Sequence, residues 1–194
     1  MVRGNHVRLS AVLAVVGLSL VGLTACSATP TTGNGPTLAD TKSPVQLLRN
    51  EAASRIPPAA IASVTETLDA SVRCRTESED PLGLRRSWHS DAQVTVEAAA
   101  IWRVDAIVDA LAQSFVDQGW TLTPIDAGGR IHSVELSREG STSEIRVSAH
   151  RPDAAAPLES DATDPVTIDL ELHGPCVETQ GAESAEVKKL EKTG

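Results

Sequence analysis

The segment VDAIVDALAQSFVDQGW, residues 104–120, decides the fold class, because its hydrophobic period is helical and changes immediately after it. Gly119 suits the left-handed residue that ends a helix, and Trp120 can fold back on the last turn as the apolar contact of a Schellman cap. The segment therefore predicts an amphipathic helix. Its apolar residues at helical spacing are Val104, Ile107, Val108, Leu111 and Phe115.

From Trp120 onward apolar and polar residues alternate, which is typical of half-buried strands. Turn residues at 126–129 and 139–141 and a loop from Arg151 to Pro165 separate these strands. The alternation predicts four consecutive strands, and antiparallel pairing follows from the short turns. They are Trp120–Ile125, Ile131–Arg138, Glu144–His150 and Val166–His173.

Upstream of residue 104 the pattern predicts one helix and two further strands. The helix runs from Pro44 to Ile56, with Pro44 in its first turn and two prolines after its end. A strand is predicted at Trp88–Glu97. Residues 59–74 fit either a helix or a strand, and we favour a strand from about Val64 to Arg75 because Thr and Val are frequent there.

The predicted order is α-β-β-α-β-β-β-β. It indicates an α+β fold of two layers, with an antiparallel sheet of about five to six strands and two helices packed on one face.

Composition excludes one broad class of function. The chain has 17 basic and 26 acidic side chains, a net charge of −9, and contains three Trp, one Phe and no Tyr. Nucleic-acid binding needs clustered positive charge and aromatic platforms on which bases stack. We therefore expect no nucleic-acid partner.

The amino terminus has the pattern of an export signal. Arg3 and Arg8 precede fifteen uncharged residues, Leu9–Leu23. As a helix these would span about 22 Å, short of the roughly 30 Å hydrocarbon core, so a retained transmembrane helix is the weaker interpretation.

The sequence Leu23-Thr24-Ala25-Cys26 resembles the lipobox of bacterial lipoproteins. The resemblance implies a diacylglyceryl group on the Cys26 sulfur, cleavage after Ala25 and a protein held on the outer face of the cell membrane by its lipid. The alternative is an ordinary secretory signal followed by a chance cysteine.

Cleavage after Ala25 removes Arg3 and Arg8 and no acidic residue, which leaves 15 basic against 26 acidic side chains, a net charge of −11. The mature chain is then predicted to consist of the lipidated cysteine and a tether (26–43), one domain (44–177) and a charged, mobile tail (178–194). An acidic domain is repelled by anionic headgroups, which favours a position away from the membrane surface.

Cys74 and Cys176 remain once Cys26 carries lipid. A disulfide between them suits an exported chain and closes a loop of about 100 residues. Free thiols in a reactive or metal-binding role are the alternative, although neither cysteine belongs to a CxxC pair.

The succession of Cys74, Trp88, the helix ending at Gly119-Trp120, and Gly174-Pro175-Cys176 is similar to the uncharacterised secreted lipoproteins common in high-GC Gram-positive bacteria. The similarity implies localisation and fold, and it carries over no catalytic residue.

Catalytic signatures such as HExxH, GxSxG, SxxK and the P-loop are missing. The candidate site is a weak one, on the polar side of the last two predicted strands: His150, Asp169, Glu171 and His173. A metal or acid–base site is one interpretation of this group, and a solvated face with an ion pair from Arg146 is the other. Antiparallel pairing would place the two histidines at opposite ends, so the sequence assigns no catalytic residue, metal or cofactor.

Two acidic stretches, residues 77–80 and 159–164, lack the alternating carboxylates and glycine of a calcium loop and are interpreted as solvated. His89 is interpreted as a strand-edge residue. Trp88 and Trp102 are expected to anchor the core rather than to line a groove.

Two functions compete on this basis. The first is a lipid-anchored, non-catalytic accessory or binding module for an envelope protein or peptide, from which a purely structural or antigenic surface protein cannot be separated. The second is an envelope hydrolase or metal-dependent enzyme that uses the surface histidines and carboxylates.

Overall fold

The computed structural model describes residues 35–125, 129, 131–150 and 165–192. Two short 3₁₀ segments, Pro58–Ala60 and Ala98–Arg103, join longer elements. The helices are α1 (Leu38–Ser54), α2 (Val104–Val116) and α3 (Ala185–Lys192). The strands are β1 (Ile61–Arg73), β2 (Arg85–Val96), β3 (Thr121–Ile125), β4 (Ile131–Ser137), β5 (Glu144–His150), β6 (Thr167–His173) and β7 (Val177–Glu178).

The strands form one antiparallel sheet in the order β1-β2-β6-β5-β4-β3, and the short strand β7 pairs with β2. The predicted α+β class is therefore confirmed. The sheet has seven strands rather than five to six, because the sequence pattern gave no signal for the two-residue strand β7. Most of the ambiguous segment 59–74 is a strand, β1, which pairs with β2 along most of its length.

Helix α2 follows the predicted pattern, and all five of its predicted apolar residues are buried. Gly119 has φ +86° and its N–H donates to the Val116 carbonyl at 2.9 Å. The Trp120 N–H donates to the Phe115 carbonyl at 3.1 Å, and the two aromatic rings meet edge to face at 5.5 Å. The helix therefore ends in the predicted Schellman cap.

Helix α1 begins six residues before the predicted start, so part of the expected tether belongs to the domain. Thr37 and Asp40 form a capping box, in which the Thr37 N–H donates to Asp40 Oδ2 at 2.9 Å. Pro44 consequently lies inside the helix and loses one backbone hydrogen bond. The cap and the burial of Leu38 and Val45 offset that loss.

The composition predicts a mobile tail at residues 178–194, but this segment contains the second residue of β7 and the whole of α3. Val187 is fully buried against the domain. Lys42 Nζ donates to the Leu190 carbonyl at 2.7 Å, and the Ser71 hydroxyl donates to Glu191 at 2.7 Å. These apolar and polar contacts together fix a segment whose overall composition is charged.

The three tryptophans differ in environment. Trp88 is fully buried, and its indole N–H donates to Asp69 Oδ1 at 2.8 Å. Trp120 belongs to the helix cap described above. Trp102, expected in the core, is 64% exposed, because the 3₁₀ turn that carries it buries Ala100 instead.

The sulfur atoms of Cys74 and Cys176 are 2.07 Å apart, at disulfide distance, with their Cα atoms 6.1 Å apart. These cysteines lie just beyond β1 and just before β7, which both pair with β2. A bond between them therefore joins the beginning of the sheet to its end across 102 residues.

Replacing Cys74 and Cys176 together by alanine should lower the free energy of unfolding by up to about 4 to 5 kcal/mol, because the unfolded chain regains the entropy of an open loop of about 100 residues. Urea unfolding followed by far-ultraviolet circular dichroism measures the change. Cys26→Ser is the matched control and should leave the midpoint in place. An unchanged midpoint in the double variant would show that the cysteines do not constrain the unfolded chain.

Candidate functional site

One side of the sheet carries polar side chains that alternate with the buried core residues of the same strands. Along β2, for example, Ala92 and Val94 are buried whereas Asp91 and Gln93 are half-buried. We call this side the polar face. Its residues are His89, Asp91 and Gln93 of β2, Ser133 and Glu135 of β4, Arg146, Ser148 and His150 of β5, and Asp169, Glu171 and His173 of β6.

Three ion pairs join neighbouring strands on the described polar face. His150 Nε2 lies 3.1 Å from Asp169 Oδ2. Arg146 lies 3.3 Å from Glu135 and 3.8 Å from Glu171, so the expected cross-strand pair of Arg146 is formed with Glu171. These residues are exposed or half-buried, and such pairs contribute little to stability.

A shallow cleft of about 290 Å³ opens between these pairs and the ends of β3 and β4. Ile125 and Ile131 form its apolar wall, and the polar wall consists of Ser133, Arg146, Ser148, His150, Asp169 and Glu171. The cleft therefore presents one cation, two carboxylates and one imidazole to any molecule that enters it.

The cleft lacks the geometry of a serine hydrolase. The Ser148 hydroxyl contacts that of Ser133 at 2.8 Å, and His150 directs Nε2 to a carboxylate. Within the described part of the chain, no serine hydroxyl is hydrogen-bonded to His150. A triad needs the imidazole to face both a nucleophile and a carboxylate.

The structure does not bring the four predicted site residues together. In the β5–β6 register Glu144 faces His173, whereas His150 lies at the other end of β5. His150, Asp169 and Glu171 line the cleft, and His173 belongs to a second group.

That second group, which we call the His–Asp cluster, consists of His89, Asp91 and His173. The two imidazole rings are stacked with their centroids 4.0 Å apart and their planes at 24°. One potential ligand atom from each residue lies within 4.8 Å of the others. All three side chains are half-buried, and their donor set is one that metal ions accept.

Asp91 interrupts the regular pairing of β2 with β6. Its Oδ1 accepts a hydrogen bond of 3.1 Å from the Leu172 backbone N–H, so a carboxylate replaces a backbone carbonyl as the acceptor. Among the described residues, no β2–β6 pairing is formed between His89 and Ala92. Local irregularities of this kind are frequent next to functional sites.

Burial shifts both titrating groups of β2 in the cluster toward their neutral forms. Burial, and then the neighbouring His173, lower the pKa of His89 from 6.5 to about 4. Burial raises the pKa of Asp91 above its ordinary value, against the opposing hydrogen bond from Leu172. At neutral pH the His89 ring therefore has a nitrogen lone pair available.

Sequence reasoning missed this cluster because 84 positions separate His89 from His173. The local signal was the pair His89 and Asp91, two residues apart on one strand, which places both side chains on one side of the sheet. Only the pairing of β2 with β6 shows that His173 stands opposite His89.

In the first acidic stretch residues 77–79 are exposed, as predicted for a solvated loop, whereas Asp80 is buried. The backbone N–H groups of Arg85 and Leu84 donate to the Asp80 carboxylate at 2.8 and 2.9 Å and lower the pKa of Asp80. Glu79 accepts from Thr76 in the same turn. The second stretch, residues 159–164, lies outside the described residues.

The chain matches no protein-family model, no curated protein and no solved structure. None of the described helices is both long enough and apolar enough to cross a membrane.

The replacement His173→Ala should raise the pKa of His89 from about 4 toward 6.5, because it exposes the His89 ring to water and removes a neighbouring positive charge at low pH. Two-dimensional ¹H–¹⁵N spectra of the imidazole nitrogens across a pH series measure the midpoint. His132→Ala, which removes a histidine paired with Asp109, is the control and should leave His89 unchanged. A midpoint near 6.5 in the parent protein would contradict the proposed burial.

Proposed function

We propose that this protein is a lipid-anchored lipoprotein on the extracytoplasmic side of the cell membrane, where it acts as a non-catalytic binding module. The sequence Leu23-Thr24-Ala25-Cys26 supports the anchor, since it combines a lipobox with the basic and apolar segments of an export signal. Two or three acyl chains hold a protein on a membrane where one is released.

The proximity of Cys74 and Cys176 supports the same extracytoplasmic location. Disulfides persist in oxidising environments outside the cytoplasm, and these two sulfur atoms lie at bonding distance. In this proposal the oxidised pair is a permanent structural bond, and Cys26 is the only cysteine that reacts.

The polar face is the proposed binding surface, and the observation that carries this assignment is its cleft of about 290 Å³ with charged groups of both signs. In this proposal α1 and α2 cover the opposite, apolar side of the sheet. Buried residues of α1 and α2 belong to the same core as Trp88 and Phe115, which are fully buried. A filled interior favours a protein or peptide partner over an internal small-molecule ligand.

The enzyme alternative rests on the contact of 3.1 Å between His150 and Asp169. This alternative has less support because Asp169 also accepts a hydrogen bond of 2.9 Å from Gln93, and the Ser148 hydroxyl is hydrogen-bonded to that of Ser133. The groups that would move a proton are therefore paired with one another, and the contact is one that a solvated cross-strand ion pair also explains.

Cys26→Ser should move the protein from the membrane fraction to the soluble extracytoplasmic fraction, because the acyl acceptor is lost. The experiment is fractionation of a high-GC Gram-positive host that expresses the full chain, with metabolic labelling by a radioactive fatty acid. Cys74→Ala with Cys176→Ala is the matched control and should keep both the label and the membrane location. Label on the Cys26→Ser protein would contradict the anchor.

A photocrosslinking residue at position 148 should capture an envelope protein or peptide in intact cells, because Ser148 lines the cleft. The same residue at position 50, which is exposed on α1, is the control and should capture less. Arg146→Glu should reduce the yield at position 148, since it reverses the only positive charge of the cleft among the described lining residues. Equal yields at positions 148 and 50 would contradict a binding role of the polar face.

A further inference from the structure

We propose that His89, Asp91 and His173 bind one late divalent transition-metal ion, such as Zn²⁺, Cu²⁺ or Ni²⁺, and leave one coordination position open. This site lies apart from the cleft and does not depend on the lipid anchor. It adds to the proposed function a metal-dependent element that the sequence did not predict.

The strands hold the three side chains in a fixed relation. His89 stands directly opposite His173 in the β2–β6 register, and Asp91 lies two residues farther along β2, on the same side of the sheet. Strand β2 is hydrogen-bonded to β1 on one side and to β6 on the other. Ligands on paired strands are positioned more accurately than ligands on loops.

Outside the cluster, neither His89 nor His173 has a polar partner among the described residues. His132 contacts Asp109 at 2.8 Å and His150 contacts Asp169 at 3.1 Å. By contrast, within the described ranges no hydrogen bond or ion pair involves the ring of His89 or His173, which stack on each other. Half-buried imidazole nitrogens without partners are available as metal ligands.

The Asp91 carboxylate forms no close ion pair with a lysine or arginine of the described residues, and the charge of Arg49 acts on it only from a distance. Asp91 accepts one hydrogen bond, from the Leu172 backbone, which orients the group and leaves its second oxygen available. No lysine or arginine of the described part of the chain lies within 4.0 Å of Asp91. A half-buried negative charge is stabilised when it is paired with a cation or coordinates a metal.

The donor set selects the class of metal. Two imidazole nitrogens and one carboxylate oxygen suit zinc, copper and nickel, whereas magnesium and calcium prefer oxygen ligands alone. Three protein ligands with a fourth position open to water is also the composition of catalytic zinc sites.

Binding requires a small movement of side chains. The potential ligand atoms lie within 4.8 Å of one another, whereas the ligands of a tetrahedral zinc ion are about 3.4 Å apart, as Zn–N bonds of about 2.0 to 2.1 Å require. The stacked rings must turn so that their lone pairs converge. Rotation about side-chain bonds supplies this movement, and the strand backbones need not shift.

The site is tested by isothermal titration calorimetry with Zn²⁺. The full chain is purified in detergent, and it carries no histidine tag. We expect one saturable site that Cu²⁺ or Ni²⁺ occupies in competition and that excess Mg²⁺ or Ca²⁺ does not. His173→Asn and Asp91→Asn should each weaken Zn²⁺ binding by more than about 100-fold. Loss of a residue that only hydrogen-bonds to a metal ligand weakens binding by up to about 100-fold, and loss of the ligand itself should weaken it more.

His132→Asn and His150→Asn are the matched controls, since each removes a histidine that is already paired with a carboxylate, and both should leave the affinity unchanged. Asp91→Asn keeps an oxygen acceptor for the Leu172 N–H, so it decides the question if His173→Asn does not fold. Absence of saturable binding of Zn²⁺, Cu²⁺ and Ni²⁺, or equal affinity in Asp91→Asn and the parent, would overturn the proposal. The Cys26→Ser protein should bind Zn²⁺ normally, which separates failure of this site from failure of the anchor.

Discussion

The antiparallel register between β2 and β6 is the constraint on which the core, the polar face and the His–Asp cluster all depend. Alternate residues of a strand point to opposite sides of a sheet, so a slip of one residue would exchange buried and solvent-facing side chains along the whole strand. In the observed register Val94 faces Ile168, both fully buried, while Gln93 faces Asp169 and donates to it. The same register places His89 opposite His173. Packing of the core therefore determines which polar groups meet on the other side.

Local sequence patterns predicted the elements whose signals lie within a few residues. Helix α2 and its Schellman cap follow from the spacing of Val104 to Phe115 and from Gly119-Trp120, because helical period and left-handed glycine are local properties. The start of α1 did not follow, since Pro44 indicated a first turn, whereas the Thr37–Asp40 capping box lies farther upstream. Helix α3 was missed for another reason. Its stability comes from Val187 and from contacts with Lys42 and Ser71, which are distant in sequence.

The sequence pattern predicted only those members of the candidate site that lie on strands consecutive in the chain. His150, Asp169 and Glu171 meet around one cleft, because β5 and β6 are consecutive strands with clear alternation. The interpretation of His89 as a strand-edge residue is wrong, because β2 is an inner strand whose neighbour β6 is far away in the chain. Non-local pairing is decided by the whole core, and a single sequence gives no local signal for it. Trp102 shows the opposite error, because the scarcity of aromatic residues suggested burial that the 3₁₀ turn does not provide.

The contact between Lys42 and the Leu190 carbonyl brings the first and last helices of the described domain together. The two ends of the fold are consequently neighbours, as in domains that tolerate circular permutation. The packing of this domain then depends on the order in which its helices and strands follow one another and not on which of them comes first in the chain. Among the described residues, the end of α3 lies beside the first turns of α1, so probes attached to these two helices would report on the same part of the domain surface.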